Sequence, residues 1–203
     1  MPTFLLIRHG ENDYVKKGKL AGRLPDIHLN KKGLQQAAAL AEHLKGAPIK
    51  AVYSSPLERA VETAQPLAQA LNLEVQLRPG LLETGYGDWT GQSLKKLSRT
   101  KEWKVVQAAP SLFRFPNGES FAESQRRFCQ ELETIACQHE PKDMLACFTH
   151  ADPIKLAVAY YIGLPLDSFQ RLGVSPGSIT VLHIGERSSH LATLNFTFEF
   201  NLK

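Results

Sequence analysis

Three short apolar runs in this chain stop abruptly at polar groups: Thr3 to Ile7 before Arg8, Lys50 to Tyr53 before Ser54, and Met144 to Phe148 before Thr149. Runs of this length and composition are buried strands, and what separates them is helical in period. Leu34, Ala37, Ala38, Ala41 and Leu44 recur at helical spacing, as do Leu57, Ala60, Val61, Ala64, Leu67, Ala68 and Leu71, each set marking one apolar face. Further strands are expected at 73–77, 178–184 and 191–196, the last two around a turn at 185–189. Strands alternating with helices require both faces of a sheet to be covered, so the expected fold is α/β, a three-layer α/β/α sandwich with a mostly parallel sheet.

Helix starts are legible as well. Ser55-Pro56-Leu57-Glu58 combines an N-cap serine, a proline at the first helical position and a glutamate three residues on from the cap, and Ser120 with Glu123 repeats the box. Asp152-Pro153 predicts a third start. No repeat or linker divides the chain, so residues 1–203 are expected to form one domain. Residues 92–118, rich in aromatic rings and prolines, read as a lid or specificity segment with a short helix near 94–101. There Trp103, Phe113 and Phe115 pack the lid or line a pocket, and Arg114 is a candidate contact for a second anion.

Ligands of such sheets sit beyond the carboxyl ends of the strands. The residues following the three runs are Arg8-His9-Gly10-Glu11, Ser54-Ser55 with Arg59 close behind, and Thr149-His150. Two arginines and two histidines therefore converge on one edge. Arg59 falls in the first turn of a helix, where the macrodipole disfavours a cation unless an anion sits between them. Ala151 offers a backbone N–H at another helix start, with Asp152 assigned to capping and orientation. Arginines supply forked donors and a neutral imidazole supplies a nucleophile, a combination suited to a phosphoryl group. Both arginines disfavour protonation of His9, and Gly10 permits close approach to the ligand. The leaving oxygen needs an acid. Glu83, in a glycine- and aromatic-rich loop, is the first candidate; Glu11 competes, and Asp88 reads more simply as a turn residue.

Taken together, the segments Leu5 to Glu11, Ser54 to Ala60, Glu83 to Gly91 and Thr149-His150 resemble the histidine phosphatase superfamily, the phosphoglycerate mutase-like proteins, in order and over nearly the whole chain. The resemblance implies a phosphohistidine intermediate with His9 as nucleophile, Arg8, Arg59 and His150 binding the phosphoryl group, and Glu83 as proton donor. It also implies a metal-independent phosphomonoester hydrolase acting on a small phosphorylated metabolite. The alternatives are a phosphoglycerate mutase-type phosphotransferase, disfavoured because such mutases carry a longer insertion and tail, and a phosphate-binding protein without turnover. Members commonly place a hydroxyl residue and then an asparagine after the R-H-G-E stretch. This chain has Asn12 and Val15, so Asn12 is expected to substitute in part and the outer phosphate contacts to differ. Gly22 and Arg23 fall in the loop that closes over substrate in the family and are candidate binding residues.

Composition excludes several other classes. The net charge of +4 is scattered rather than clustered, which argues against a nucleic-acid partner. No apolar run reaches the roughly 18 residues of a membrane span. Cys129, Cys137 and Cys147 lack ligand or framework spacing, so reduced thiols, a cytoplasmic setting, and no metal or cofactor are expected. A homodimer is left open. Gly173-Val174-Ser175-Pro176-Gly177 matches the nucleophile elbow of serine hydrolases, but Pro176 has no N–H for an oxyanion hole and a strand follows where a helix is needed. Ser93-Leu94-Lys95-Lys96 reads as an exposed helix start, and no phosphate-binding loop for ATP is present.

Overall fold

The computed structural model describes residues 2–185 and 189–198. In chain order the elements are β1 (Thr3–Arg8), α1 (Asp13–Lys16), α2 (Lys31–Leu44), β2 (Ile49–Ser54), α3 (Glu58–Ala70), β3 (Val75–Leu77), α4 (Leu94–Leu97), α5 (Lys101–Ala108), α6 (Phe121–Ala136), β4 (Met144–Thr149), α7 (Ala151–Tyr161), β5 (Ile179–Ile184) and β6 (Ser189–Phe196). The strands form one six-stranded sheet in the order β3-β2-β4-β1-β5-β6. β3, β2, β4 and β1 run parallel, whereas β5 is antiparallel to β1 and β6 to β5. Of the expected turn at 185–189, residues 186–188 lie outside the described residues.

The period of two in each strand builds the layers. Phe4 and Leu6 of β1, Ala51 and Tyr53 of β2, and Leu145 and Cys147 of β4 share one core with Phe128, Leu132 and Ile135 of α6 and Ile154, Ala157 and Val158 of α7. The intervening Leu5, Ile7, Val52, Ala146 and Phe148 face the opposite side, against Leu40 and Ala41 of α2 and Ala64, Leu67 and Ala68 of α3. Burial on both faces explains why these strands read as unbroken apolar runs. A third cluster joins Tyr86, Trp89, Phe113, Phe115, Phe121 and Phe169, with edge-on ring contacts such as Phe113–Phe115 at 5.0 Å and Phe115–Phe121 at 5.2 Å between centroids.

Several local expectations need correction. Helix α2 buries Gly33, Ala37, Leu40 and Ala41, leaving Leu34 55 % exposed; the stripe is rotated because Gly33 must pass close to β1's exit. Ser55 does not cap α3. Its helix begins at Glu58 after an N-cap Leu57 with no side-chain cap bond; the Ser55 hydroxyl accepts from His150 Nε2 at 2.9 Å and, at 3.4 Å, from the Leu57 N–H ahead of the helix. Asp152 does not cap α7 either: His150 is the N-cap, and the Asp152 carboxylate accepts the Tyr86 hydroxyl at 2.8 Å and lies 3.3 Å from Lys155 Nζ. The Ser120–Glu123 capping box forms as expected. Residues 92–118 hold two helices, α4 and α5, rather than one.

Candidate active site

In the sheet order β2, β4 and β1 are neighbours, so their carboxyl ends open onto a single edge. Backbone bonds lock the three exits together: Ser55 N–H donates to the Phe148 carbonyl at 2.9 Å and His9 N–H to the Thr149 carbonyl at 2.9 Å. The segment around Ser175 has a structural part in this. Gly177 N–H is shared between the carbonyls of Arg8 and His9, both at 3.1 Å, while Ser175 N–H donates to Asn195 Oδ1.

His9 is 4 % exposed. Its Nδ1 lies 2.7 Å from the Gly10 carbonyl, which can only accept, so Nδ1 carries the hydrogen. Nε2 is then unprotonated, and its lone pair accepts from Arg59 Nε at 3.3 Å. Burial first, then Arg59 and Arg8, hold the imidazole pKa well below its ordinary value. The ring is therefore neutral, with its basic nitrogen turned toward the arginine.

Arg59, 1 % exposed, donates through Nη2 to the Gly22 carbonyl at 2.7 Å and lies 3.4 Å from His150 Nδ1. Because arginine only donates, His150 Nδ1 accepts, and its Nε2 hydrogen goes to Ser55 Oγ. The His9 and His150 rings meet edge-on at 5.2 Å. Burial, with Arg59 next, lowers the His150 pKa as well.

A cavity of about 340 Å³ opens beside these groups, lined among the expected residues by Arg8, His9, Asn12, Gly22, Arg59, Glu83 and Ala151. His150 and Arg23 stand behind that lining. Three lining side chains keep buried donors without a partner: Arg8 Nε, Arg59 Nη1 and Asn12 Nδ2. An unmet buried donor costs roughly 1–3 kcal/mol, more when charged. Asn12 is oriented by its other atom, since Oδ1 caps α1 by accepting from Val15 N–H at 2.9 Å. Val15 itself lines the cavity and supplies no donor there.

Of the three carboxylates weighed from sequence, Glu83 alone lines this cavity. Glu11 accepts from Asn30 Nδ2 at 2.9 Å, and Asp88 from Asn117 Nδ2 at 3.1 Å. Burial, and secondarily the charge of Asp152, push the Glu83 carboxyl up to about 7. The loop carrying it is clamped by Arg127 and Glu119, which the sequence did not single out, together with Arg23, which it did. Arg127 donates to the carbonyls of Gly80, Leu82 and Glu83 at 2.7, 2.9 and 3.3 Å. Arg23 Nε donates to the Glu83 carbonyl at 2.8 Å, so its part is to support the loop rather than line the cavity. Glu119 ties both arginines, at 3.0 Å from Arg127 Nε and 2.8 Å from Arg23 Nη2, and accepts from Gly85 N–H at 2.8 Å. The one available signal was that Arg127 adjoins the buried Phe128 in α6.

Two other expectations change. The missing side chain of Gly10 serves helix packing, because a Cβ would lie 2.7 Å from the Gly33 carbonyl oxygen. Arg114 pairs with Glu123 and donates to the Gly118 carbonyl at 3.1 Å, so it does not face the cavity, whereas Trp103 and Phe115 do. Among the described residues no cluster of three or more His, Cys, Asp or Glu is arranged to hold a metal, no helix is long and apolar enough to cross a membrane, and the three cysteines are unpaired.

Comparison with known proteins agrees with this geometry. Residues 4–197 match the sequence profile of the histidine phosphatase superfamily (branch 1). Phosphoserine phosphatase 1 of Hydrogenobacter thermophilus is 29 % identical over 199 residues, covering 97 % of this chain and 93 % of that protein. The 2,3-bisphosphoglycerate-dependent phosphoglycerate mutase of Thermoplasma acidophilum is 31 % identical over 184 residues, covering 91 % and 88 %. Among solved structures, the Entamoeba histolytica phosphoserine phosphatase in complex with 3-phosphoglyceric acid superposes with a TM-score of 0.87 at 30 % identity over 98 % of both chains. With the sequence profile, the sheet order and the strand-end arrangement in agreement, this chain belongs to branch 1 of the histidine phosphatase superfamily.

Proposed function

We infer that the protein is a phosphomonoester hydrolase that acts on a small phosphorylated metabolite through a phosphohistidine at His9. The observation that carries this reading is the set of three partnerless buried donors, on Arg8, Arg59 and Asn12, around a neutral His9 whose unprotonated Nε2 faces Arg59. A phosphoryl group satisfies those donors and balances the charges of two guanidiniums. Ala151 at the start of α7 adds a helix N-terminus to the same wall.

In the reaction, Nε2 of His9 attacks phosphorus in line while the P–O bond to the alcohol breaks. Glu83, protonated near neutral pH, gives its proton to the departing oxygen. The resulting carboxylate then takes a proton from water as that water attacks the phosphohistidine, releasing phosphate and restoring His9. His150 acts behind Arg59: it receives a guanidinium N–H and fixes that side chain beside the phosphoryl position. Gly22 does the same through its carbonyl. Arg23 steadies Glu83 from the back of the loop.

A second reading, transfer of the phosphoryl group to another hydroxyl, is favoured by the likeness to the Thermoplasma mutase. Phosphate release from a panel of phosphomonoesters in chelator, beside conversion of 3-phosphoglycerate to 2-phosphoglycerate and a His9→Ala control, separates them. Hydrolysis that requires His9 and survives chelator supports the reading. Isomerisation outrunning hydrolysis replaces it with the mutase, and binding without turnover replaces it with a phosphate-binding protein.

A further inference from the structure

Resting on the phosphatase reading, we infer that the alcohol released by this enzyme carries an apolar, ring-sized group rather than the charged groups of an amino acid or a sugar acid. The cavity beyond Arg8 and Arg59 is lined by Val15, Leu20, Trp89, Leu94, Trp103 and Val106. These come from α1, the loop after it, the loop after Glu83, α4 and α5, so five separate segments present apolar surface to one space. Trp89 and Trp103 lie nearly parallel, 20° apart with centroids at 6.1 Å. Trp89 and Val106 are buried, whereas Val15, Leu20, Leu94 and Trp103 are half-buried, leaving surface for a ligand to cover.

Charge placement points the same way. Among the described residues lining this part of the cavity, the cations are Lys19 and Lys155. Lys19 is exposed. Lys155 Nζ lies 3.3 Å from Asp152 Oδ1 and 3.2 Å from Gln170 Oε1, so its charge is already answered. A substrate carboxylate would have to strip water against tryptophan and valine with Lys155 already paired to Asp152 and the solvent-screened Lys19 as the cation left to answer it, a desolvation with little compensation. An aromatic or alicyclic group instead gains burial and ring contacts. Val15 belongs to this seat: its methyl groups extend the apolar wall next to Asn12.

The test compares kcat/KM for three primary alkyl phosphates, 2-(1-naphthyl)ethyl phosphate, O-phospho-L-serine and glycerol 3-phosphate, chosen so that the leaving alcohols are alike and the side group differs. The naphthyl ester is expected to exceed both others by at least about tenfold. Trp103→Ala and Val15→Asn, each at a half-buried position, are expected to reduce the ratio of naphthyl to glycerol ester by about tenfold, mostly through KM for the naphthyl ester. Hydrolysis of phosphoserine or glycerol phosphate at least as efficient as that of the naphthyl ester overturns the inference. So does a ratio unchanged in both variants. In either case turnover lost in His9→Ala leaves the phosphatase reading standing. Failure to hydrolyse any of the three overturns both.

Discussion

Glu83→Gln is expected to make the protein more stable while removing its proton donor, and the gain should depend on pH. The wild-type carboxyl titrates near 7 in the folded chain against 4.5 for the ordinary group. Such a displacement corresponds to about 3 kcal/mol in favour of the protonated form. The side chain is only 8 % exposed, so solvent screens little of it. Because the folded pKa lies above the unfolded one, this stability is fully present below pH 4.5 and is lost as the pH rises through 7. Glutamine keeps the shape and stays neutral, so the variant loses nothing along that titration. The two proteins should melt within about 2 °C of each other near pH 4.5, and the variant about 6–12 °C higher at pH 8.5, taking roughly 2–4 °C per kcal/mol for a chain of this size. Thermal melts followed by circular dichroism across that range, at constant ionic strength, give the difference directly. A melting difference that does not change with pH would refute the argument that burial and Asp152 hold the carboxyl protonated.

Three further outcomes follow from the same geometry. With Glu83 required as an acid in the first step, kcat/KM should fall tenfold per pH unit above about 7; Asp152→Asn removes a charge that raises the Glu83 pKa and should move that fall to lower pH, read from a pH–rate profile. Arg127→Lys loses the fork that spans the Gly80, Leu82 and Glu83 carbonyls and should lower kcat by about 10–100-fold with a smaller change in KM, since misplacing a reacting group by about an ångström costs of that order; a KM effect alone in steady-state kinetics would contradict the positioning role. Ser55→Ala leaves the buried His150 Nε2–H without its hydroxyl partner, which costs about 1–3 kcal/mol and should lower the melting temperature by roughly 2–12 °C while weakening inhibition by orthovanadate several-fold at temperatures where the variant is folded; unchanged orthovanadate inhibition would contradict the role of His150 in positioning Arg59.

Much of the fold was readable because fully buried strands and amphipathic helices leave distinct periods. The runs ending at Arg8, Ser54 and Thr149 coincide with β1, β2 and β4, and their adjacency is what brings Arg8, His9, Arg59 and His150 together. What misled was chemistry that serves two masters. Ser55 and Asp152 have the residue types of helix caps, but tertiary partners draw on their oxygens: His150 bonds the Ser55 hydroxyl more closely than the local Leu57 N–H does, and Tyr86 bonds Asp152. Gly10 looked like space for a ligand and is space for Gly33. Arg127 and Glu119 were invisible for a different reason: a charge on α6, or on the loop just before it, reads as solvated until the loop it clamps is placed over it. Trp103 was legible as a ring that packs the lid or lines a pocket, but that it shares one cavity with Leu94 depends on the placement of α4 and α5, which no local pattern encodes.

The mechanism turns on where the phosphoryl group goes. Rapid acid-free quench of the enzyme with a turning-over ester, followed by peptide mass spectrometry, should find one phosphoryl group on the imidazole of His9, formed faster than phosphate is released and absent in His9→Ala. Phosphorylation of any other residue as the kinetically competent species, or hydrolysis undiminished in His9→Ala, would contradict it.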